Sequence, residues 1–220
     1  MFAGHYSTAL AARRIGPPVP LWHLFIAVQL VDFVWAVFIM TGVEYVSIEP
    51  GFMQASMLNL YHMPYTHSLL AGVLWSVGAG LAYGFVRSGE KRWRAAGIIA
   101  LAVASHWVLD LIVHAPDLEV YPGGPKIGLG LWQSLLWSQL LEIGLVLVGL
   151  AIYLSATKPK SAAGKWSPFA LVGVMLLMQL INHLPVETPP TSFILGVMAL
   201  FAYSVLTLLA YFADRTRQSV

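Results

Sequence analysis

Long apolar runs, each close to twenty residues and each closed by a short polar or Pro/Gly-bearing stretch, dominate the pattern along this chain. A helix needs about 20 such residues to cross the hydrocarbon core of a bilayer. Six segments reach that length, at about 21–42, 66–86, 95–115, 129–156, 166–184 and 191–213. The fourth is long enough to tilt or to project from the bilayer. The fifth is the shortest and closes at Asn182-His183-Leu184-Pro185. Before the first run, residues 3–15 are small or apolar up to Arg13-Arg14 and predict a short extra helix. The expected fold is an all-α integral membrane protein, one polytopic domain over residues 1–220 with six transmembrane helices behind a short N-terminal one.

Composition sharpens this. Hydrophobic residues make up 58% of the chain and charged residues only 10%, whereas soluble domains carry about a quarter charged. So few charges do not cover a water-facing surface, and the apolar excess must face lipid. The first run lacks the features of a cleaved signal and reads as a retained anchor. The net charge of +2, with basic residues scattered over several connections, points away from nucleic acid.

The connections sort by charge. Arg13 and Arg14, the segment 87–94 with Arg87, Lys91, Arg92 and Arg94, the segment 157–165 with Lys158, Lys160 and Lys165, and the tail with Arg215 and Arg217 are basic. The alternate connections hold Glu44, Glu49, Asp117, Glu119 and Glu187, with Lys126 as their only basic residue. Lys/Arg-rich short loops stay in the cytoplasm. Six spans with both termini cytoplasmic satisfy every connection at once. The connection 43–65 is the one with room for a cap over the outer face.

Ionisable groups inside a span are costly and default to a functional reading. The spans hold Asp32, His106, Asp110, His114, Glu142 and His183, with His62 and His67 at the start of the second. At 1.5 Å per residue, Asp32 lies roughly 16 Å from its cytoplasmic end, His106 roughly 18 Å, Glu142 roughly 22 Å, Asp110 roughly 24 Å, His183 roughly 26 Å and His67 roughly 30 Å. They share one layer, from the membrane centre to its outer side. In the third span His106, Asp110 and His114 recur every four residues and share a helix face. Imidazole, carboxylate and imidazole at that spacing can hold divalent ions, or one can orient another from behind. With no cysteine in the chain, any metal site is built from imidazole and carboxylate. His5 joins the layer if the chain turns back at Gly16-Pro17-Pro18, because eleven residues separate Gly16 from His5 and Leu21 from Asp32 alike.

These elements resemble the membrane-bound metal-dependent hydrolases of the YdjM-like inner-membrane family. The resemblance is carried by Gly4-His5, by Asp32 in the next helix, by the His-x4-Thr-His-Ser element His62 to Ser68, and by Ser105-His106 to Asp110. It covers residues 4 to about 125. The chain departs from the family in reading Leu30-Val31-Asp32-Phe33 for Pro-Asp-x-Asp and His62-Met63-Pro64 for His-Arg-Gly. The family is distantly similar to bacterial zinc-dependent phospholipases C. The resemblance implies a bacterial-type inner-membrane location and one or two divalent metal ions, zinc foremost, held by His5, Asp32, His67, His106 and Asp110. It also implies hydrolysis of an ester or phosphoester in the outer half of the bilayer, with a lipid as one form of substrate. Glu142, His114 and His62 are the candidate general bases.

Plainer readings stand beside this one. Asp32, Asp110 and His106 have a lesser alternative as hydrogen-bonded glue between helices. His183 is expected to cap a helix end, His23 to sit at the interface, and Asp117 and Glu119 to be solvated. Ser68 as a nucleophile beside His67 is disfavoured, because adjacent residues of a helix point to different faces. A proton or divalent-ion transporter would use the same polar layer, although no inverted repeat relates the halves. A non-catalytic scaffold is the third class.

Overall fold

A computed structural model describes residues 1–15, 19–184, 186 and 188–220. The predicted turn at Gly16-Pro17-Pro18 lies outside the described residues, as do Pro185 and Glu187. The described chain is mostly helical, with helices α1 (His5–Ala12), α2 (Leu21–Val28), α3 (Leu30–Thr41), α4 (Leu69–Val86), α5 (Arg92–Val113), α6 (Leu135–Ala156), α7 (Ala162–Ile181) and α8 (Ser192–Arg215). Five of them, α4 to α8, are long and apolar enough to cross a membrane, and the pair α2–α3 passes the same test together. Their outer surfaces are apolar. Phe85, Leu101 and Phe201 point outward, as side chains do where the surrounding medium is lipid.

The predicted first span is not one helix. It bends by 50° between α2 and α3, with Gln29 at the break in a non-helical conformation. No proline or glycine marks the position, so periodicity alone carries it straight through. Irregular backbone at membrane depth persists where protein groups satisfy it, and here the Val28 carbonyl accepts from the His106 ring.

Side-chain caps trim the other predicted boundaries. Ser68 accepts from the Ala71 amide and starts α4 three residues later than the apolar run suggests. Ser134 does the same for α6, so the expected long fourth span is a 22-residue helix preceded by a 3-10 turn at Leu131–Gln133. α7 begins earlier than predicted, at Ala162 with Ser161 as cap, and runs through Pro168. A proline inside a helix deprives the carbonyl four residues back of its donor. That carbonyl belongs to Gly164, and Arg217 supplies the missing bond through its guanidinium at 2.6 Å. Arg217 is delivered by an antiparallel pair that the apolar pattern does not predict, β5 (Thr157–Pro159) with β6 (Arg217–Ser219).

Two further strand pairs lie at the other end of the bundle: β1 (Tyr45–Ile48) with β2 (Leu58–His62), and β3 (Leu118–Glu119) with β4 (Lys126–Ile127). The predicted cap over residues 43–65 is thus a hairpin. Met53 and Leu60 from this segment pack with Trp35, Val113, Leu118 and Trp132 into an apolar cluster over that end. The basic connections collect at the opposite end, where Arg14 reaches Ser155 and Arg94 reaches the Ile15 carbonyl.

Two close approaches set the helix packing. Gly72, Ser76, Gly80 and Gly84 recur every four residues and are buried along α4. A Cβ at Gly80 would stand 2.9 Å from the Ala100 Cβ, and one at Gly84 would stand 2.4 Å from the Trp93 ring. Small residues at this spacing let two helix backbones approach in a membrane. α1 lies inside the bundle, with Ala3, Tyr6, Ala9 and Leu10 fully buried. It meets α6 at Gly149, where an added Cβ would lie 2.8 Å from the Ser7 carbonyl oxygen and 2.9 Å from its Cα. Backbone atoms do not yield as a side-chain tip does. Gly149→Val is therefore expected to push α1 off α6 and destabilise the protein by about 1–3 kcal/mol, read as a lowered midpoint of thermal unfolding in detergent. An unchanged midpoint would mean that α1 does not depend on this contact.

Candidate metal centre

Four elements bring their polar residues to one point. α1 contributes His5, α3 Asp32, the segment before α4 His67, and α5 His106, Asp110 and its cap residue His114. All six are buried. Asp110 stands at the centre. Its Oδ1 lies 3.1 Å from His5 Nε2, 3.6 Å from His114 Nε2 and 2.6 Å from the ammonium of Met1. Its Oδ2 lies 3.0 Å from His106 Nε2 and 3.7 Å from His67 Nε2. Asp32 turns Oδ1 to the same two imidazoles, 3.2 Å from His67 Nε2 and 3.6 Å from His106 Nε2.

Behind each ring stands an acceptor. His106 Nδ1 is 2.7 Å from the Val28 carbonyl. A carbonyl only accepts, so Nδ1 carries a proton and Nε2 is the nitrogen that faces inward. His67 Nδ1 is 2.7 Å from Thr66 Oγ1, whose own hydroxyl donates to Glu44 Oε2 at 2.6 Å. With its proton committed to Glu44, the hydroxyl accepts from His67 Nδ1, and His67 Nε2 faces inward to Asp32 Oδ1. His114 Nδ1 donates to Asp117 Oδ1 at 2.9 Å. Three imidazoles are thus oriented from outside through Nδ1, with Nε2 turned to the centre as a metal ligand or a proton carrier requires. Asp32 is held likewise, its Oδ2 taking the Gln29 amide at 2.8 Å and the Tyr203 hydroxyl at 3.3 Å.

Among the inward atoms, His67 Nε2 meets Asp32 Oδ1 as a hydrogen bond at 3.2 Å, but the rings of His5 and His106 are not aimed in this way. His106 Nε2 and both ring nitrogens of His5 are buried without a hydrogen-bond partner, although carboxylate oxygens lie 3.0 and 3.1 Å from the two Nε2 atoms. The two rings stack, with centroids 3.7 Å apart and planes 6° from parallel. Buried polar groups normally find partners. Nitrogens close to oxygens but directed past them fit lone pairs that converge on a shared cation. Two triads satisfy that arrangement, His5 with Asp32 and His106, and His67 with His106 and Asp110, each with ligand atoms within 4.8 Å of one another. The nitrogen–oxygen separations of 3.0, 3.2, 3.6 and 3.7 Å among His67, His106, Asp32 and Asp110 bracket the roughly 3.3 Å edge of a tetrahedron with zinc-length arms of about 2.0–2.1 Å. The donor set fits one or two small divalent ions.

All five residues expected to hold metal, His5, Asp32, His67, His106 and Asp110, meet here, and His114 faces the same carboxylate. Glu142 sits beside the cluster in another role. Its Oε2 accepts the amides of Phe2 and Gly4 at 3.0 and 3.2 Å, so it anchors the segment that carries His5. His62 stands apart in β2, tilted against Tyr45 and edge-on to Tyr65, and makes no ion pair with the cluster among the described residues.

Three further expectations change. Asp117 is engaged by His114 rather than solvated, and Glu119 is buried, accepting the Gly123 amide at 2.7 Å. His183 caps no helix end among the described residues; its Nε2 meets the Gln139 amide at 2.7 Å, from the end of α7 to α6. Ser68 caps α4 and donates to the Pro64 carbonyl, which leaves it occupied.

Glu44, Thr66, Gln29 and Tyr203 are the residues a search for ionisable groups inside spans passes over. Glu44 is an acid outside the spans by count, yet it is fully buried and accepts from the amides of Tyr65 and Thr66 as well as the Thr66 hydroxyl. Gln29 carried a usable signal, an amide inside an apolar run. Tyr203 carried none, because an aromatic residue in a span is ordinary.

The chain is thus a helical protein with membrane-length apolar helices and a buried His/Asp cluster. No protein-family profile, no curated protein and no solved structure matches it.

Proposed function

We propose that this protein is a membrane-embedded, metal-dependent hydrolase that cleaves an ester or phosphoester in the outer half of a bacterial-type inner membrane. In this reading there are six spans, with α2–α3 as a broken first, the termini at the basic end are cytoplasmic, and the cluster lies towards the outer face. The observation that carries the reading is the outward pinning of His67, His106 and His114 at Nδ1, which leaves their Nε2 atoms gathered around Asp32 and Asp110. A scaffold needs only paired groups, whereas His106 Nε2 and both ring nitrogens of His5 are left without a hydrogen-bond partner. The order of the motifs, resembling the YdjM-like family, points the same way.

His5, Asp32, His67, His106 and Asp110 would hold one or two zinc-like ions, which when bound supply Lewis acidity and a water whose pKa approaches neutrality. His114 lies beside them with Asp117 fixing its tautomer, so it is the general base of choice. It takes a proton from water at Nε2 as the water oxygen bonds to phosphorus or the acyl carbon. The ester bond to the leaving oxygen breaks, and the leaving alcohol receives the proton back. Buried on all sides, the cluster keeps bulk water from competing for the donors.

Elemental analysis of purified protein, paired with hydrolysis of a phosphate diester before and after chelation, tests this directly. One or two equivalents of zinc and chelator-sensitive turnover are expected. Metal without hydrolysis but with ion flux in liposomes would replace the enzyme by a transporter, and protein free of metal after growth in zinc would leave a scaffold.

A further inference from the structure

The two triads that lie within reach of a divalent ion, His5 with Asp32 and His106, and His67 with His106 and Asp110, have His106 in common. His106 offers one nitrogen only. Its Nδ1 is bound to the Val28 carbonyl at 2.7 Å, so both triads draw on Nε2. A carboxylate bridges two ions with its two oxygens, whereas an imidazole nitrogen has a single lone pair, in the plane of its ring. The triads are therefore alternatives that are not filled together.

Ring direction decides between them. His5 and His106 stack with centroids 3.7 Å apart and planes 6° from parallel. An ion on the Nε2 lone pair of His106 lies in the plane of that ring, about 3.5 Å from the parallel plane of His5 at van der Waals contact. A zinc–nitrogen bond is about 2.0–2.1 Å long, so His5 does not reach the ion that His106 holds. His67 is placed differently. Its ring is inclined to that of His106 at 64°, with centroids 5.5 Å apart, and the two Nε2 atoms face the same two oxygens. Asp110 Oδ2 lies 3.0 Å from His106 Nε2 and 3.7 Å from His67 Nε2, and Asp32 Oδ1 lies 3.6 and 3.2 Å from them. Two nitrogens and two oxygens thus alternate around one point. His5 and His114 face the other oxygen of Asp110, Oδ1, at 3.1 and 3.6 Å.

We infer that the centre holds a single divalent ion, ligated by His67 Nε2, His106 Nε2, Asp32 Oδ1 and Asp110 Oδ2, with His5 outside its coordination sphere. The inference rests on the metal reading of the cluster and narrows it, from five ligands to four and to one ion. His5 packs on the face of His106, on the side of Asp110 that the ion does not use. Hydrolysis at such an ion requires that it expand to a fifth position for water.

Full-length protein labelled with heavy nitrogen in its histidines and loaded with NMR-active cadmium provides the test. One equivalent of cadmium and one cadmium resonance are expected, split by one-bond coupling to two imidazole nitrogens, those of His67 and His106. His5→Gln should keep the resonance and both couplings, with zinc affinity within threefold of wild type. His67→Gln should lower that affinity at least a hundredfold. A second cadmium resonance, coupling to the His5 ring, or two equivalents of zinc in wild type would overturn the inference. These readings are made on wild type and stand even if His5→Gln does not fold. Protein that takes up neither zinc nor cadmium would overturn it together with the hydrolase reading. Cobalt(II) separates the two readings. A five-coordinate visible spectrum with turnover of a phosphate diester supports both, whereas a tetrahedral spectrum without turnover keeps the single ion and removes the enzyme. Two bound ions with turnover would do the reverse.

Discussion

Asp110→Asn is expected to remove bound metal and to lower phosphoester hydrolysis by about three orders of magnitude, about 4 kcal/mol at 1.36 kcal/mol per tenfold. Asn has nearly the volume of Asp, so packing is preserved and the change is one of charge and donor character. Asp110 is the residue on which every imidazole of the cluster converges, with His5 and His114 at Oδ1 and His67 and His106 at Oδ2. An amide offers one acceptor oxygen and turns two N–H donors towards lone pairs or a cation, which reverses half of those interactions. His106→Ala should behave similarly, because His106 belongs to both ligand triads. Metal-to-protein ratios of both variants beside wild type decide the matter. Undiminished zinc in either, with the protein monodisperse, would remove these two residues from any metal site.

The second large effect concerns a residue that touches no metal. Glu44→Gln is expected to weaken metal binding by about 10–100-fold, the range seen when partners behind a ligand are lost. Thr66 has one proton, and in the native arrangement Glu44 takes it, which obliges the Thr66 oxygen to accept from His67 Nδ1. A glutamine amide in the Oε2 position donates instead of accepting. The Thr66 proton then turns to His67 Nδ1, the ring takes the opposite tautomer, and Nε2 becomes an N–H pointed into the cluster. A protonated nitrogen has no lone pair for a metal. Thr66→Val should weaken binding too, by leaving His67 Nδ1 without an acceptor, but without enforcing the wrong tautomer. Glu44→Ala goes further and strands the amides of Tyr65 and Thr66, at about 1–3 kcal/mol for each unsatisfied buried donor. Nitrogen chemical shifts of His67 in labelled protein discriminate the cases: Glu44→Gln must take the proton off Nδ1. Retention of the native tautomer with native zinc affinity would show that Glu44 only ties the loop.

The bend between α2 and α3 joins these arguments. By placing Gln29 out of helical conformation, it sets the Val28 carbonyl against His106 and the Gln29 amide against Asp32. One irregular residue thus orients a member of each ligand class. A straight helix would commit the same carbonyl to the amide four residues on.

How much of this was legible without coordinates follows from what each signal measures. Apolar run length reports the cost of exposing side chains to water, so the five long helices and the paired first span were readable to within a few residues. Charge sorting placed the basic connections together, and the contacts of Arg14 and Arg94 gather them at one end. The depth count put Asp32, His67, His106 and Asp110 in one layer because helical rise is constant. It even brought in His5, since α1 is helical and lies inside the bundle. Counting fails where a residue's role depends on which way its helix faces. His62 shares the motif with His67 but sits in a strand and turns to Tyr45 and Tyr65. Glu142 has the right depth, yet its Oε2 is taken by the amides of Phe2 and Gly4.

The chain alone determined that the apolar helices have membrane length, that any metal site would be imidazole and carboxylate, and which residues had no cheap reason to be buried. These follow from composition and from one-dimensional spacing, which folding does not alter. Only the tertiary structure decided which atoms of those residues face one another. The outward partners of His67, His106 and His114, the anchoring of Asp32 by Tyr203 and the break at Gln29 all depend on partners far away in the chain. Hydrogen bonds act over about 3 Å, and no periodicity in the sequence encodes separations that short between distant segments.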